Sequence, residues 1–145
     1  MDTHNPLLGP VIALIGWSLT MFIWMAVVRF RGFKHHKIDV RARDGGRGAD
    51  LDGKVEPQFQ WPAHNYNHLM EQPTLFYAVV VALILMDDRM ALNVTIAWIY
   101  VALRIIHSIW QATINKVPVR FTLFALSTLC LVALTLHAAM RYWHG

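Results

Sequence analysis

The sequence predicts an all-α fold, an integral membrane four-helix bundle that forms a single domain over residues 1–145. Of the 145 residues, 56% are hydrophobic and only 15% are charged, which is not the balance of an ordinary soluble domain. The apolar residues fall into four segments, each of which approaches the roughly 20 residues needed to cross a bilayer. The sequence shows no internal repeat, and nothing in it indicates a second domain.

The first apolar segment covers about residues 7–30 and reads LLGPVIALIGWSLTMFIWMAVVRF. It is too long for the apolar core of a signal peptide, and no basic region precedes it. We therefore expect a retained membrane helix rather than a cleaved leader.

The second segment is expected to cover about residues 62–86. Its uninterrupted apolar part, residues 74–86, is too short to cross a bilayer alone. The polar stretch HNYNHLMEQP, residues 64–73, therefore has to lie inside the helix. This places two histidines and a glutamate within a membrane span.

The third and fourth segments complete the bundle. They cover about residues 90–112 and 119–142, and Pro118 is well placed to open the fourth helix. The loop between them, INKVPVR, adds the positive charges of Lys116 and Arg120. The loop DDR before the third helix carries no such excess.

Positive charge is concentrated between Arg29 and Lys54, where eight of the thirteen Lys and Arg residues lie. Because apolar runs flank this region, we interpret residues 31–61 as a membrane-facing loop rather than a nucleic-acid-binding segment. By the positive-inside tendency, both termini are expected to be external and this loop cytoplasmic. The predicted location is the inner membrane of a bacterium.

The cytoplasmic half of the four spans is expected to hold a layer of polar side chains. On the second helix, His64, His68 and Glu71 fall within an arc of about 60°. A second polar stripe on the third helix consists of Tyr100, Arg104, His107 and Gln111. Exposing such a charge to lipid costs roughly 2.5 to 3.5 kcal/mol, so the polar stripes have to face protein or water. The external half holds almost no ionisable group, and His137 there is interpreted as an isolated packed or interfacial histidine rather than a ligand. The layer consists of Arg29, His64, Asn67, His68, Glu71, Arg104, His107, Gln111 and Arg120.

Two interpretations of this layer need no organic ligand. Glu71 and Arg104 can form a structural ion pair. Alternatively, His64, His68 and Glu71 offer three metal ligands on one helix face, and His107 offers a fourth. The second interpretation corresponds to a metal-dependent membrane enzyme.

A third interpretation is a site for an anionic, amphipathic small molecule. Arginines at several helix ends suit carboxylates, and the helix N-termini near Pro62 and Pro118 add partial positive charge. Glutathione has this character, and a thiol held beside a cation loses its proton more readily. A site at the cytoplasmic leaflet lets an aqueous thiol meet a lipophilic electrophile.

Several stretches resemble the MAPEG family, the membrane-associated proteins in eicosanoid and glutathione metabolism. The second helix carries Glu71-x-Pro73 before an apolar run. The segment RIIHSI, residues 104–109, is similar to the Arg-Ile-x-His-Thr-Ile stretch of the microsomal glutathione transferases in that family. Pro118 and Arg120 follow it at the spacing of the Pro-x-Arg found there. The resemblance covers most of the chain.

The resemblance implies a glutathione-dependent transferase or peroxidase that acts on lipophilic electrophiles, with glutathione as co-substrate. It implies that Arg120 stabilises the thiolate and that Glu71, Arg104 and His107 bind glutathione. Arg29 or Arg31 stands where the family has a basic residue that closes the first helix, and Arg29 is kept as the candidate binding residue. It also implies a homotrimer in the bilayer with sites between subunits. The alternative is a non-enzymatic member that binds a lipid or another small amphipathic ligand.

The second helix departs from the family pattern at two positions. Aligned on Glu71, the sequence has His64 where the family has arginine and His68 where it has asparagine, while Asn67 is one residue out of register. Protonated histidines can still donate hydrogen bonds to a carboxylate. We therefore keep His64, Asn67, His68 and Gln111 of the third helix as candidate binding residues.

Overall fold

A computed structural model describes residues 4–38, 45, 48–51 and 53–144 of the chain. Within these residues the protein is helical throughout, without a strand, which confirms the all-α prediction. A short 3-10 helix, Gly48–Leu51, precedes the second span. Arg41, Arg43 and Arg47 of the predicted loop lie outside the described residues. The helices are α1 (Leu8–His35), α2 (Pro57–Leu69), α3 (Gln72–Leu85), α4 (Ala91–Thr113) and α5 (Val117–His144).

Four spans in the described part of the chain are long and apolar enough to cross a membrane. Three of them are α1, α4 and α5, and the remaining one, Pro57–Leu85, combines α2 and α3. Apolar side chains such as Ile12, Phe30 and Leu85 are exposed on the outer faces of the bundle. Lipid tails are the solvent that such surfaces require, so the protein is an integral membrane protein.

The second span is broken, and this corrects the expectation of one continuous helix through HNYNHLMEQP. Helix α2 ends at Leu69 and α3 begins at Gln72, so Met70 and Glu71 form a turn. Pro73 explains the break, because it has no amide hydrogen to donate to the carbonyl of Leu69 and its ring clashes with that carbonyl. The amide of Met70 instead donates to the Asn67 carbonyl at 2.9 Å.

An apolar core joins the spans in the half of the bundle that contains the chain termini. Leu14 of α1, Phe76 of α3, Tyr100 of α4 and Leu134 of α5 are all buried in one cluster. The rings of Phe76 and Tyr100 stack with centroids 4.3 Å apart and planes 7° apart. Stacked aromatic rings of this kind fix the depth at which α3 meets α4.

The first described residues and the last turns of α5 lie at the same end of the bundle as the loop between α3 and α4. Asn5 Nδ2 donates to the carbonyl of Asp88 at 2.9 Å. At the other terminus, His137 Nδ1 is hydrogen-bonded to Asn93 Oδ1. The interpretation of His137 as isolated is therefore wrong, because the first turn of α4 brings an amide oxygen to it.

Helix α2 packs against both α1 and α4, and α4 packs most extensively against α5. The polar start of the second span therefore lies against the polar half of α4, at the end of the bundle opposite the termini. This packing brings α2, α4 and α5 together around one group of side chains.

Candidate functional site

Helix α4 turns one polar face toward the protein interior. Tyr100, Arg104, His107, Ser108 and Gln111 are all buried, and Arg104 is 0% exposed. Their spacing of three to four residues places them on one side of the helix. The prediction that this stripe faces the interior is confirmed. His107 is the residue of this stripe that lines the candidate site.

The guanidinium of Arg104 has few partners for a buried cation. Its Nε donates to the hydroxyl of Tyr100 at 3.3 Å. Its Cζ lies 5.6 Å from the ring centroid of Tyr100 and 5.7 Å from that of Phe124, within cation–π range. Neither Nη1 nor Nη2 has a hydrogen-bond partner among the described residues. Two parallel donors of this kind match the two oxygens of a carboxylate.

Two histidines lie next to this arginine and contact each other. The rings of His68 and His107 have centroids 5.1 Å apart, and His68 lies 5.4 Å from the ring of Phe124. His68 Nδ1 is hydrogen-bonded to Glu71 Oε2 at 2.9 Å. The buried Nε2 of His107 has no partner within the described part of the chain. Helices α2 and α4 thus place two imidazoles beside one guanidinium.

The two histidines line a cleft of about 190 Å³ between α2, α4 and α5, and Arg104 lies buried behind them. Arg120 lies at the cleft, where its Nη1 donates to Asn115 Oδ1 at 2.8 Å. This bond fixes one end of the guanidinium and sets its position at the start of α5. The wall combines cationic and apolar chemistry. It is lined by His68, His107, Val117, Arg120, Phe121 and Phe124.

A model of the MAPEG family matches residues 7–140, nearly the whole chain. The chain belongs to the MAPEG family. Neither the curated proteins nor the solved structures that were compared with it gave a match. MAPEG proteins are associated with glutathione and eicosanoid metabolism. A cleft that combines arginine, imidazole and phenyl groups within a membrane bundle is compatible with that chemistry.

The second span of this MAPEG chain brings only part of its predicted stripe to the cleft. His68 lines the cleft, whereas His64, Asn67 and Glu71 are exposed. Glu71 has a side chain 69% exposed and is joined to the cleft through its bond to His68. His64, Asn67 and His68 keep the predicted helical spacing within α2, whereas the turn at Met70 and Glu71 takes Glu71 out of that helix.

The predicted metal ligands do not come together in this MAPEG member. Within the described residues, His64, His68 and Glu71 do not bring three ligand atoms into one group. A tetrahedral site needs three or four ligand atoms around one point. His68 Nδ1 and Glu71 Oε2 lie 2.9 Å apart, and no third ligand atom joins them among the described residues.

Gln111 and Arg29 occupy different surroundings. Gln111 is buried on the polar face of α4, and its Oε1 has no partner among the described residues. The guanidinium of Arg29 lies against Gly48, where a Cβ added to the glycine would come within 2.6 Å of Nη2. Gln60 Nε2 donates to the carbonyl of the same glycine at 2.9 Å. Arg29 therefore packs on the 3-10 helix at the start of the second span.

Asn65 is a site residue that the sequence reading missed. It is 0% exposed, and its Nδ2 donates to the hydroxyl of Ser108 at 2.6 Å. This bond links α2 to α4 beside His107. The spacing in the sequence indicates this position. Pro62 and Leu69 lie three residues before and four residues after Asn65, so all three share the buried face of α2.

Proposed function

We propose that this MAPEG protein is a membrane-bound, glutathione-dependent transferase or peroxidase that acts on lipophilic electrophiles. The observation that carries the proposal is the buried guanidinium of Arg104, whose Nη1 and Nη2 lack partners among the described residues. A buried unpaired cation is costly, and a ligand carboxylate offsets that cost with two charge-assisted hydrogen bonds. Glutathione has two carboxylates.

The neighbouring side chains suit the rest of such a ligand. His107 Nε2 is a second buried atom without a partner in the described chain, and it lies beside Arg104 on the same face of α4. His68 can donate to a carboxylate, and the exposed carboxylate of Glu71 can accept from an ammonium group. Arg104, His107 and His68 therefore bind and orient, while Glu71 selects for an amine.

The remaining candidates are assigned to positions around the same binding surface. His64 and Asn67 lie exposed on α2, so they suit the end of the ligand that remains in water. Gln111 continues the buried face of α4 beyond His107. Arg29 is the basic group at the end of the first span.

Arg120 is the residue proposed to stabilise the thiolate. It lies at the cleft beside Phe121 and Phe124, and the bond to Asn115 holds its guanidinium in place. A cation next to an apolar wall stabilises a nearby anion more than it does in water, because fewer water dipoles screen the charge. Bound glutathione supplies the sulfur nucleophile, and Phe121, which is 68% exposed, offers the apolar approach for the electrophile.

The proposal also covers the oligomeric state of the protein and its orientation in the membrane. We propose a homotrimer with sites between subunits, in the inner membrane of a bacterium, with external termini and a cytoplasmic site. The bundle supports this orientation because the cleft lies at the end opposite the termini, next to the loop that carries Lys116. MAPEG proteins are typically trimers.

The test is glutathione binding followed through the ultraviolet absorbance of the thiolate. Purified protein in detergent should bind glutathione and produce the thiolate signal. Arg120→Ala should abolish this signal, and Arg120→Lys should retain part of it because the charge remains. Arg141→Ala, a matched arginine at the other end of the bundle, should behave as wild type. Absence of binding at millimolar glutathione would remove the enzyme proposal.

A second function is favoured by an apolar groove on another face. The groove measures about 640 Å³ and lies between α3 and α5, with Gln72 and Thr128 at its polar end. Gln72 Nε2 donates to Thr128 Oγ1 at 2.7 Å. This arrangement suits a non-enzymatic member that binds a lipid or another amphipathic molecule. Native mass spectrometry that retains a bound lipid, combined with no glutathione binding, would favour this function.

A further inference from the structure

A cluster of metal-binding side chains lies outside the candidate cleft, where α1 ends and α2 begins. His35 is the last residue of α1, His36 follows it, and Glu56 directly precedes α2. One ligand atom from each of these three residues lies within 4.8 Å of the others. We propose that His35, His36 and Glu56 form a binding site for a divalent transition-metal ion such as Zn²⁺.

The donor set suits this class of ion. Zn²⁺ is bound by imidazole nitrogens and carboxylate oxygens, and three protein ligands with one water complete a tetrahedron. Ligand atoms around such an ion lie about 3.3 Å apart, given bond lengths of roughly 2.0 to 2.1 Å. His35 and Glu56 are exposed at the surface, so small rotations of their side chains are enough to close the distance.

Phe59 positions both imidazoles. The ring of His35 stacks on Phe59 with centroids 5.9 Å apart, and the ring of His36 meets it edge-on at 5.4 Å. Phe59 is itself held against α1, since a Cβ added to Gly32 would come within 3.2 Å of its ring. The two histidines are 5.0 Å apart by ring centroid and nearly perpendicular. This aromatic platform orients the imidazoles before an ion arrives.

Two further observations indicate a ligand rather than simple packing. The Nε2 atom of His36 is buried and has no hydrogen-bond partner among the described residues. Gln58 Nε2 donates to Glu56 Oε2 at 2.7 Å, which orients the carboxylate. Hydrogen bonds to a ligating group from the next shell of residues are typical of metal sites.

The charge balance also favours an ion. Two neutral imidazoles and one carboxylate reduce the charge of a divalent ion to +1. The nearest cationic side chains in sequence, Lys34 and Lys37, are exposed, and water and salt screen their repulsion.

Such an ion would join the end of α1 to the start of α2 across residues 37–55. Any ligand that binds the folded state alone stabilises it, and the stabilisation grows with the logarithm of the ligand concentration divided by its Kd. The site is therefore proposed as a structural clip for the long loop, separate from the chemistry at Arg104 and Arg120.

The experiment uses full-length protein in detergent, purified without a histidine tag and treated with a chelator. Titration with ZnCl₂ in a calorimeter should give one ion per chain, and Co²⁺ should give the visible absorption of tetrahedral cobalt. His36→Ala and Glu56→Gln should each weaken binding by at least tenfold. Zn²⁺ should also raise the Tm of wild type but not of these variants.

The controls separate loss of ligands from loss of fold. His4→Ala, which removes another exposed histidine, should bind Zn²⁺ as wild type does. Phe59→Leu keeps all three ligands and should weaken binding less than His36→Ala does. Circular dichroism should be the same for every variant. The proposal is overturned if wild type binds no stoichiometric ion, or if His36→Ala and Glu56→Gln bind it equally well.

Discussion

Two buried polar clusters lie at opposite ends of this bundle, and they differ in how their hydrogen bonds are satisfied. At the end with the termini, Asp88 Oδ1 accepts from the amide of Met90 at 3.0 Å and from Asn93 Nδ2 at 3.1 Å. Asn93 is bonded in turn to His137, and Asn5 bonds the Asp88 carbonyl. No buried side-chain nitrogen or oxygen of this cluster lacks a partner within the described chain.

The cluster around Arg104 shows the opposite pattern. Arg104, His107, Gln111 and Asn65 each hold a buried atom without a partner in the described part of the protein. Unsatisfied buried polar groups cost free energy, so they persist where something other than stability maintains them. The Asp88 cluster therefore holds the helices together, whereas the Arg104 cluster keeps the unpartnered atoms on which the proposed ligand site rests.

Replacing Arg104 by methionine should give the largest loss of glutathione affinity and so sharpen the contrast between the two clusters. Glutathione affinity should fall by at least 100-fold, because two charge-assisted hydrogen bonds are lost. The Tm should stay the same or rise, since a buried cation with few partners is replaced by an apolar side chain of similar size. Calorimetric titration and thermal unfolding of the same preparation measure both. A large fall in Tm for Arg104→Met would contradict the assignment.

Replacing Asp88 by alanine should have the opposite effect, a loss of stability without a loss of glutathione binding. The amide of Met90 and Asn93 Nδ2 lose their acceptor in a buried position, which should lower the free energy of unfolding by about 2 to 4 kcal/mol. Glutathione binding should be unchanged. Asp88→Asn, which keeps an acceptor oxygen, should cost less than half as much. Equal losses of unfolding free energy for the two variants would show that the charge of Asp88, rather than its hydrogen bonds, stabilises the Asp88 cluster.

Replacing Glu71 by glutamine should give the smallest effect. The side chain is 69% exposed, and its pair with His68 is screened by water. The free energy of unfolding should change by less than about 1 kcal/mol. Glutathione affinity should fall by no more than about tenfold, because only the contact to an ammonium group weakens. A loss of glutathione affinity as large as that of Arg104→Met would show that the turn at Glu71, rather than α4, provides the main ligand contacts.

The polar face of α4 could be predicted from the sequence, whereas that of α2 could not. Arg104 and His107 lie in a regular helix, so a repeat of 3.6 residues places them correctly. His64 lies in the unbroken helix α2 and is nevertheless exposed, whereas Glu71 lies in the turn before Pro73, outside that helix. A proline inside an apolar pattern indicates a kink or an end of the helix, so Pro73 itself predicts the break that the length of the apolar run conceals.

The sequence by itself determined the four spans, the family and the buried stripe on α4, because each depends on local composition or short motifs. Only the tertiary structure decided that Asn65 rather than His64 faces α4. Its partner Ser108 lies 43 residues away, and no local period encodes a contact of that range. The structure also decided which polar atoms find partners. That outcome depends on how three helices meet around the guanidinium of Arg104, which no single segment of the sequence specifies.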